Sequence, residues 1–218
     1  FLKGDQADKI AVGKAVDKAC SEIGFLIIKG HGVNSALISD MYRVSESYFA
    51  RPLWEKMRYK MPVDRYRGYT SFGSEGLAYS LDDVTPPDLK ESFSMGPFDH
   101  SYDEYHFGED GGRFFAPNVW PNQPEEMQRI WENYYSEMER LARDLMRIFA
   151  IGLDLDATWF DNKIDRHVTN FSAIHYPGQN NLSVRDGQLR AGSHSDYGSL
   201  TIVQTNTDVG GLEVQSSK

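Results

Sequence analysis

The strongest constraint in this sequence is a histidine and an aspartate two residues apart, His194 and Asp196, within the stretch from Arg190 to Val214. Side chains at i and i+2 of an extended chain project from one face, whereas on a helix they point nearly opposite ways. An imidazole and a carboxylate can therefore converge on one ion here if the segment is extended. That supplies two-thirds of the 2-His-1-carboxylate face that holds non-haem Fe(II) and leaves positions open for other ligands. The pair alone is a weak signal, because a chain of this length with 6 His and 19 Asp carries about half a His-x-Asp pair by chance, and a structural histidine remains the alternative. Its surroundings add weight. Gly198 permits a tight turn, Leu200 to Val203 is β-prone, and Gly210-Gly211 before Leu212-Glu213-Val214 marks a turn into another strand.

With 218 residues the chain can build one sizeable core, with or without an added helical layer. A net charge of −9 and no basic stripe argue against nucleic acid, and no polybasic segment suits an anionic membrane. No apolar run is long enough to span a bilayer and no signal-peptide pattern opens the sequence, so a cytoplasmic protein is expected. The single cysteine, Cys20, fits a reducing compartment, and its place on an apolar helix face points to core packing.

Helices dominate the first half. Asp5 to Glu22 has amphipathic spacing, with Ile10, Val12, Val16, Ala19 and Ile23 on the expected buried side and Gly24 as the stop. Phe25 to Ile28 is continuous and apolar, as for a strand buried on both faces, and His31 between two glycines suits a hydrogen-bonded turn. Asn34 is placed to cap a helix running to Ala50, and Pro52 to open a short turn to Met57. Tyr66 to Thr70 and Leu89 to Gly96 then read as short strands separated by a Gly-, Ser- and Pro-containing loop, with Lys90 and Glu91 expected as a solvated pair. Residues 97–121, which hold His100 and His106, have no clear period and suit a surface or covering loop. A spine helix follows, capped by Asn122 with Pro124 and Glu125 in its first turn, and continues to Gly152. Asp154 and Asp156 do not complete a calcium loop and are expected to cap a short helix over 157–162. Val168 to Tyr176 is strand-like, and residues 179–189 form a hairpin-like link to the His-x-Asp stretch. Helices first and strands later imply an α+β arrangement.

Several of these stretches carry a family resemblance. His194-x-Asp196-x-Gly198-x-Leu200-Thr201 followed by Val209-Gly210-Gly211-Leu212-x-Val214 resembles the iron and 2-oxoglutarate-dependent dioxygenases of the isopenicillin N synthase-like type. Gly24 to Val33, Arg67-Gly68-Tyr69, Lys90-Glu91-x-Phe93 and Asn118-Val119-Trp120-Pro121 match further landmarks of that family. The resemblance implies a double-stranded β-helix, or jelly roll, with the amino-terminal helices packed outside. Residues 1–120 would form the amino-terminal region, and 121–218 the spine helix and the first part of the jelly roll. It also implies Fe(II), 2-oxoglutarate and O2, with His194 and Asp196 as metal ligands and Tyr176 as the residue that contacts 2-oxoglutarate. Ile174 stands where an asparagine is often found in the family, and this removes one polar contact. No histidine follows His194, so the third ligand and the Arg-x-Ser carboxylate anchor would lie further along, and the C-terminal part of the barrel is expected to be missing from this chain.

On that resemblance the reaction is oxidation, chiefly hydroxylation, of a small-molecule substrate with release of succinate and CO2. Candidate substrate-facing residues are Tyr69, Phe93 and Arg190, of which only Arg190 suggests a carboxylate partner. Two alternatives stay open: an iron-dependent oxidase of the same fold that does not use 2-oxoglutarate, and a non-catalytic binding or scaffold protein. A hydrolase relay from Ser193, His194 and Asp196 is disfavoured, because near neighbours in an extended segment cannot line up in relay geometry.

Overall fold

A computed structural model describes residues 3–76, 86–178, 184–206, 210 and 212–214. Its elements run α1 (Gln6–Glu22), α2 (Ser35–Phe49), α3 (Leu53–Lys56), β1 (Gly68–Thr70), β2 (Glu91–Met95), α4 (Glu104–Phe107), α5 (Gly111–Phe114), α6 (Met127–Gly152) and β3 (Phe171–His175). The chain divides into two compact units. One comprises Phe1–Val33, Ser136–Asp165 and Gly198–Lys218; the other comprises Asn34–Tyr135 and Arg166–Tyr197. Among the described residues no helix is long and apolar enough to cross a membrane.

The first unit is helical. Asp5 caps α1 through a reciprocal box, its carboxylate accepting from Asp8 N while the Asp8 carboxylate accepts from Asp5 N. The helix meets the end of α6 at Gly13, where an added Cβ would lie 2.8 Å from Ile151 Cγ2. A Cβ on Gly152 would likewise lie 3.3 Å from Asp17 Cβ, yet the expected buried stripe is thin. Val12, Val16 and Ala19 are half-buried, Ile10 and Ile23 are exposed, and Cys20, expected in the core, is exposed two turns beyond Gly13. His31 accepts from Val33 N at 3.2 Å, as the turn reading requires. Asp154 adopts a left-handed φ of 57° just past α6, and Asp156 caps the following turn by accepting from Thr158 N and Oγ1. In place of the expected helix over 157–162 the chain makes turns and then a single 3-10 turn, Asp161–Lys163.

Three expected strands are not formed. Phe25 to Ile28, Leu200 to Val203 and the described residues 212–214 join no ladder, and Ile27 is 94% exposed. A strand needs a partner edge to satisfy its backbone groups, and none of the described residues provides one for these runs. Gly211 and residues 179–183 of the proposed link lie outside the described residues.

The second unit is built on an antiparallel sheet of order β1-β2-β3. Tyr69 pairs with Phe93 and Phe93 with Ala173, so these three share one face with Glu91, Met95, Phe171 and His175. On that face Tyr48 of α2 meets the Phe93 ring at 4.9 Å, and Trp131 of α6 meets Phe93 at 5.5 Å and Phe171 at 5.1 Å. These edge-to-face contacts form the core. Asn34 caps α2 by accepting from Ala36 N at 2.8 Å. Helix α6 starts at Met127, after the expected cap at Asn122, because the residue before Pro124 is steered out of the helical region and the Pro124 carbonyl instead accepts from Met127 N at 3.1 Å. Residues 97–121 carry the two short helices α4 and α5 with His106 buried, and Asn118 is tied to Gly96 by two hydrogen bonds of 2.9 Å.

Candidate metal centre

Beyond Pro177 the chain turns at Asp186 and Gly187 and runs without regular structure from 192 to 197, where it carries His194 and Asp196. Their facing atoms, His194 Nε2 and Asp196 Oδ1, stand 3.2 Å apart, and both side chains are partly exposed. Two ligands each about 2.1 Å from an octahedral ion and at right angles would stand about 3.0 Å apart, so the pair fits two adjacent positions. The other imidazole nitrogen, Nδ1, lies 2.8 Å from Gly192 O. A carbonyl only accepts, so Nδ1 carries the hydrogen, and in the neutral imidazole this makes Nε2 the nitrogen with a lone pair for a metal. Among the described residues no third His, Cys, Asp or Glu joins them. Gly198, with φ 91°, makes the turn that its sequence position implies.

The second face of the sheet leads to this edge. It carries Thr70, Ser92, Ser94, Ser172 and Ile174, and by alternation Lys90 and Tyr176 follow on the same side. Ser94 and Ser172 hydroxyls meet at 2.7 Å, and Thr70 Oγ1 is buried with no partner among the described residues. Tyr176 is partly exposed; burial first, and then the nearby Asp88 carboxylate, push its phenol upward while Arg190 draws it down. A phenol held protonated is a hydrogen-bond donor. Arg190 is exposed.

Tyr69 and Phe93 occupy the opposite face at 0% exposure and present no surface to a ligand. Lys90 and Glu91, expected in solvent, are both buried. Glu91 accepts from Lys56 Nζ at 2.7 Å, from the Tyr69 hydroxyl, and from His175 Nδ1 at 2.8 Å. Burial raises the Glu91 pKa, but the hydrogen bonds from His175, Lys56 and Tyr69 together outweigh it and hold the carboxyl below its ordinary value. Lys90 Nζ lies 3.5 Å from Asp88 Oδ2, and Asp88 is itself buried. Sequence reasoning passes over Lys56 and Asp88. The available signal is Asp88-Leu89-Lys90-Glu91, which sets charges on both faces of a strand whose other residues are apolar or small.

A family profile described as the N-terminal region of non-haem dioxygenases in morphine synthesis matches residues 1–123. The chain is 28% identical to a homoarginine-6-hydroxylase of Arabidopsis thaliana over 99% of its own length and 57% of that protein. It is 32% identical to clavatol oxidase of Penicillium crustosum, covering 94% of this chain and 63% of that one. Among solved structures, a full-length Neurospora crassa protein in complex with alpha-KG superposes with a TM-score of 0.74 at 27% identity, covering 91% of this chain and 59% of that chain. The chain thus spans 57% and 63% of the length of two homoarginine-6-hydroxylase relatives.

Proposed function

This chain belongs to the non-haem iron and 2-oxoglutarate-dependent dioxygenases, and from that premise we propose that the protein oxidises a small molecule, chiefly by hydroxylation, with 2-oxoglutarate and O2 as co-substrates. The approach of His194 Nε2 to Asp196 Oδ1 at 3.2 Å, beside the face that bears Tyr176, carries this reading. The sheet would then be part of a double-stranded β-helix that a further histidine completes as a metal site. When bound, Fe(II) supplies a redox centre with open positions for 2-oxoglutarate and O2.

The chain's own residues have separate tasks. His194 and Asp196 hold the metal, and Gly192 O orients the imidazole so that Nε2 faces Asp196. Tyr176, a neutral phenol whose pKa burial pushes further up, would donate its hydroxyl hydrogen to a carboxylate of 2-oxoglutarate. Arg190, exposed near Tyr176, would face the substrate, where its guanidinium suits a carboxylate. The structural neighbours support a small substrate: two further structures of the Neurospora crassa protein hold alpha-KG with thymine or with 5-formyluracil.

The test is anaerobic addition of Fe(II) and 2-oxoglutarate to the full protein, watched for the weak visible charge-transfer band of the chelate. The band is expected in the parent and not in His194→Ala, and succinate release then guides a substrate screen. Iron binding without the band moves the reading to an oxidase that does not use 2-oxoglutarate, and no iron binding overturns it.

A further inference from the structure

The segment bearing His194 and Asp196 has no ladder to hold it, yet its approach is fastened at three points to one stretch just before β2. Gln188 Nε2 donates to Pro87 O at 2.6 Å, Leu89 N donates to Leu189 O at 3.0 Å, and Gly192 N donates to Asp88 Oδ1 at 2.9 Å. The last bond ends two residues from the metal edge. Asp88 is 1% exposed, and its other oxygen faces the buried Lys90 ammonium at 3.5 Å. Gly192 is thus held through its N–H by a fixed carboxylate while its carbonyl accepts from His194 Nδ1 at 2.8 Å. A shift of Gly192 would turn the imidazole and carry Nε2 away from Asp196 Oδ1.

We propose that Asp88 is a positioning residue for the metal edge. Acting through Gly192, its carboxylate sets the orientation of the His194 ring, with Lys90 as the cation that balances its charge in the interior. This rests on the reading of His194 and Asp196 as metal ligands. Groups that orient metal-binding imidazoles commonly change metal affinity when removed, by about 10- to 100-fold.

Two conservative substitutions separate this role from a merely structural ion pair. Asp88→Asn keeps an oxygen that can accept from Gly192 N but gives up the charge that pairs with Lys90. Asp88→Glu keeps the charge but moves the carboxylate one methylene out of place. Mn(II) affinity of the full protein, read from the EPR signal of free Mn(II), is expected to stay near parental in Asp88→Asn and to fall about 10-fold or more in Asp88→Glu. Asp88→Ala should fall at least as far as Asp88→Glu, and thermal unfolding of the metal-free variants tracks the ion pair independently. The reverse order of Asn and Glu, or parental affinity in both Asp88→Glu and Asp88→Ala, overturns the proposal. His194→Ala is the control for the site itself. If it binds Mn(II) as the parent does, the ligand reading fails and this proposal falls with it; if it loses Mn(II) while the Asp88 variants do not, only the positioning role is wrong.

Discussion

Rings close off one face of the three-stranded sheet, while hydroxyls and charged groups line the other. On the first, Tyr69 and Phe93 are enclosed by Tyr48 and Trp131, and the charged Glu91 is accommodated only because Lys56, Tyr69 and His175 all donate to it. On the second, Thr70, Ser92, Ser94 and Ser172 give little apolar packing and lead to Lys90, Tyr176 and the His194 edge. A step of one residue along a strand moves a side chain between these environments. Stability is concentrated on the first face, and the proposed chemistry borders the second.

Substitutions on the first face should therefore unfold the protein without changing metal affinity in the molecules that remain folded. Phe93→Ala, which opens a cavity between Tyr48 and Trp131, is expected to cost about 3–5 kcal/mol in urea unfolding. A smaller cost would mean that the core closes around the gap and that this face is less rigid than its ring contacts imply. Glu91→Gln leaves the buried Lys56 ammonium without its carboxylate and should cost about 3 kcal/mol.

The same carboxylate gives the comparison a pH dependence. Its folded pKa lies below the ordinary 4.5, so its contribution is complete above that value and is lost as pH falls through the lower folded one. Parental stability should decline across that acidic window, and the Glu91→Gln curve should be flatter there. Equal slopes would show that Glu91 is not the group that titrates.

On the second face, Ser94→Ala removes the 2.7 Å hydroxyl contact with Ser172 and should cost about 1 kcal/mol. A loss as large as that of Phe93→Ala would erase the distinction between the faces. The smallest effect is expected away from the sheet altogether. Ile27→Ser, at a side chain 94% exposed, should shift unfolding by less than about 0.5 kcal/mol.

Features settled by bonds within a few residues are legible in the sequence alone. The Asn34 cap, the His31 turn and the glycine turn at 198 follow from local chemistry, and each is present. The strand positions around Tyr69 and Phe93 are legible as well, from short runs bounded by a Gly-, Ser- and Pro-containing loop. Which face they occupy is not, because alternation marks two faces without saying which one meets a helix. The run Phe25 to Ile28 departs from its expected strand for a related reason: apolar content favours burial but does not supply the neighbouring edge that makes a strand.

By itself, then, the sequence determined the Asn34 cap, the His31 turn, the strands around Tyr69 and Phe93, and the His-x-Asp pair, whose spacing lets an imidazole and a carboxylate converge. Only the tertiary structure decided that Lys90 and Glu91 are buried, that Cys20 is exposed, and that Asp88 holds the approach to His194. The physical reason is separation along the chain. Glu91 meets Lys56 across 35 positions and His175 across 84, and Asp88 meets Gly192 across 104. Contacts of that range leave no local periodicity to read, and they form only when the sheet brings their strands together.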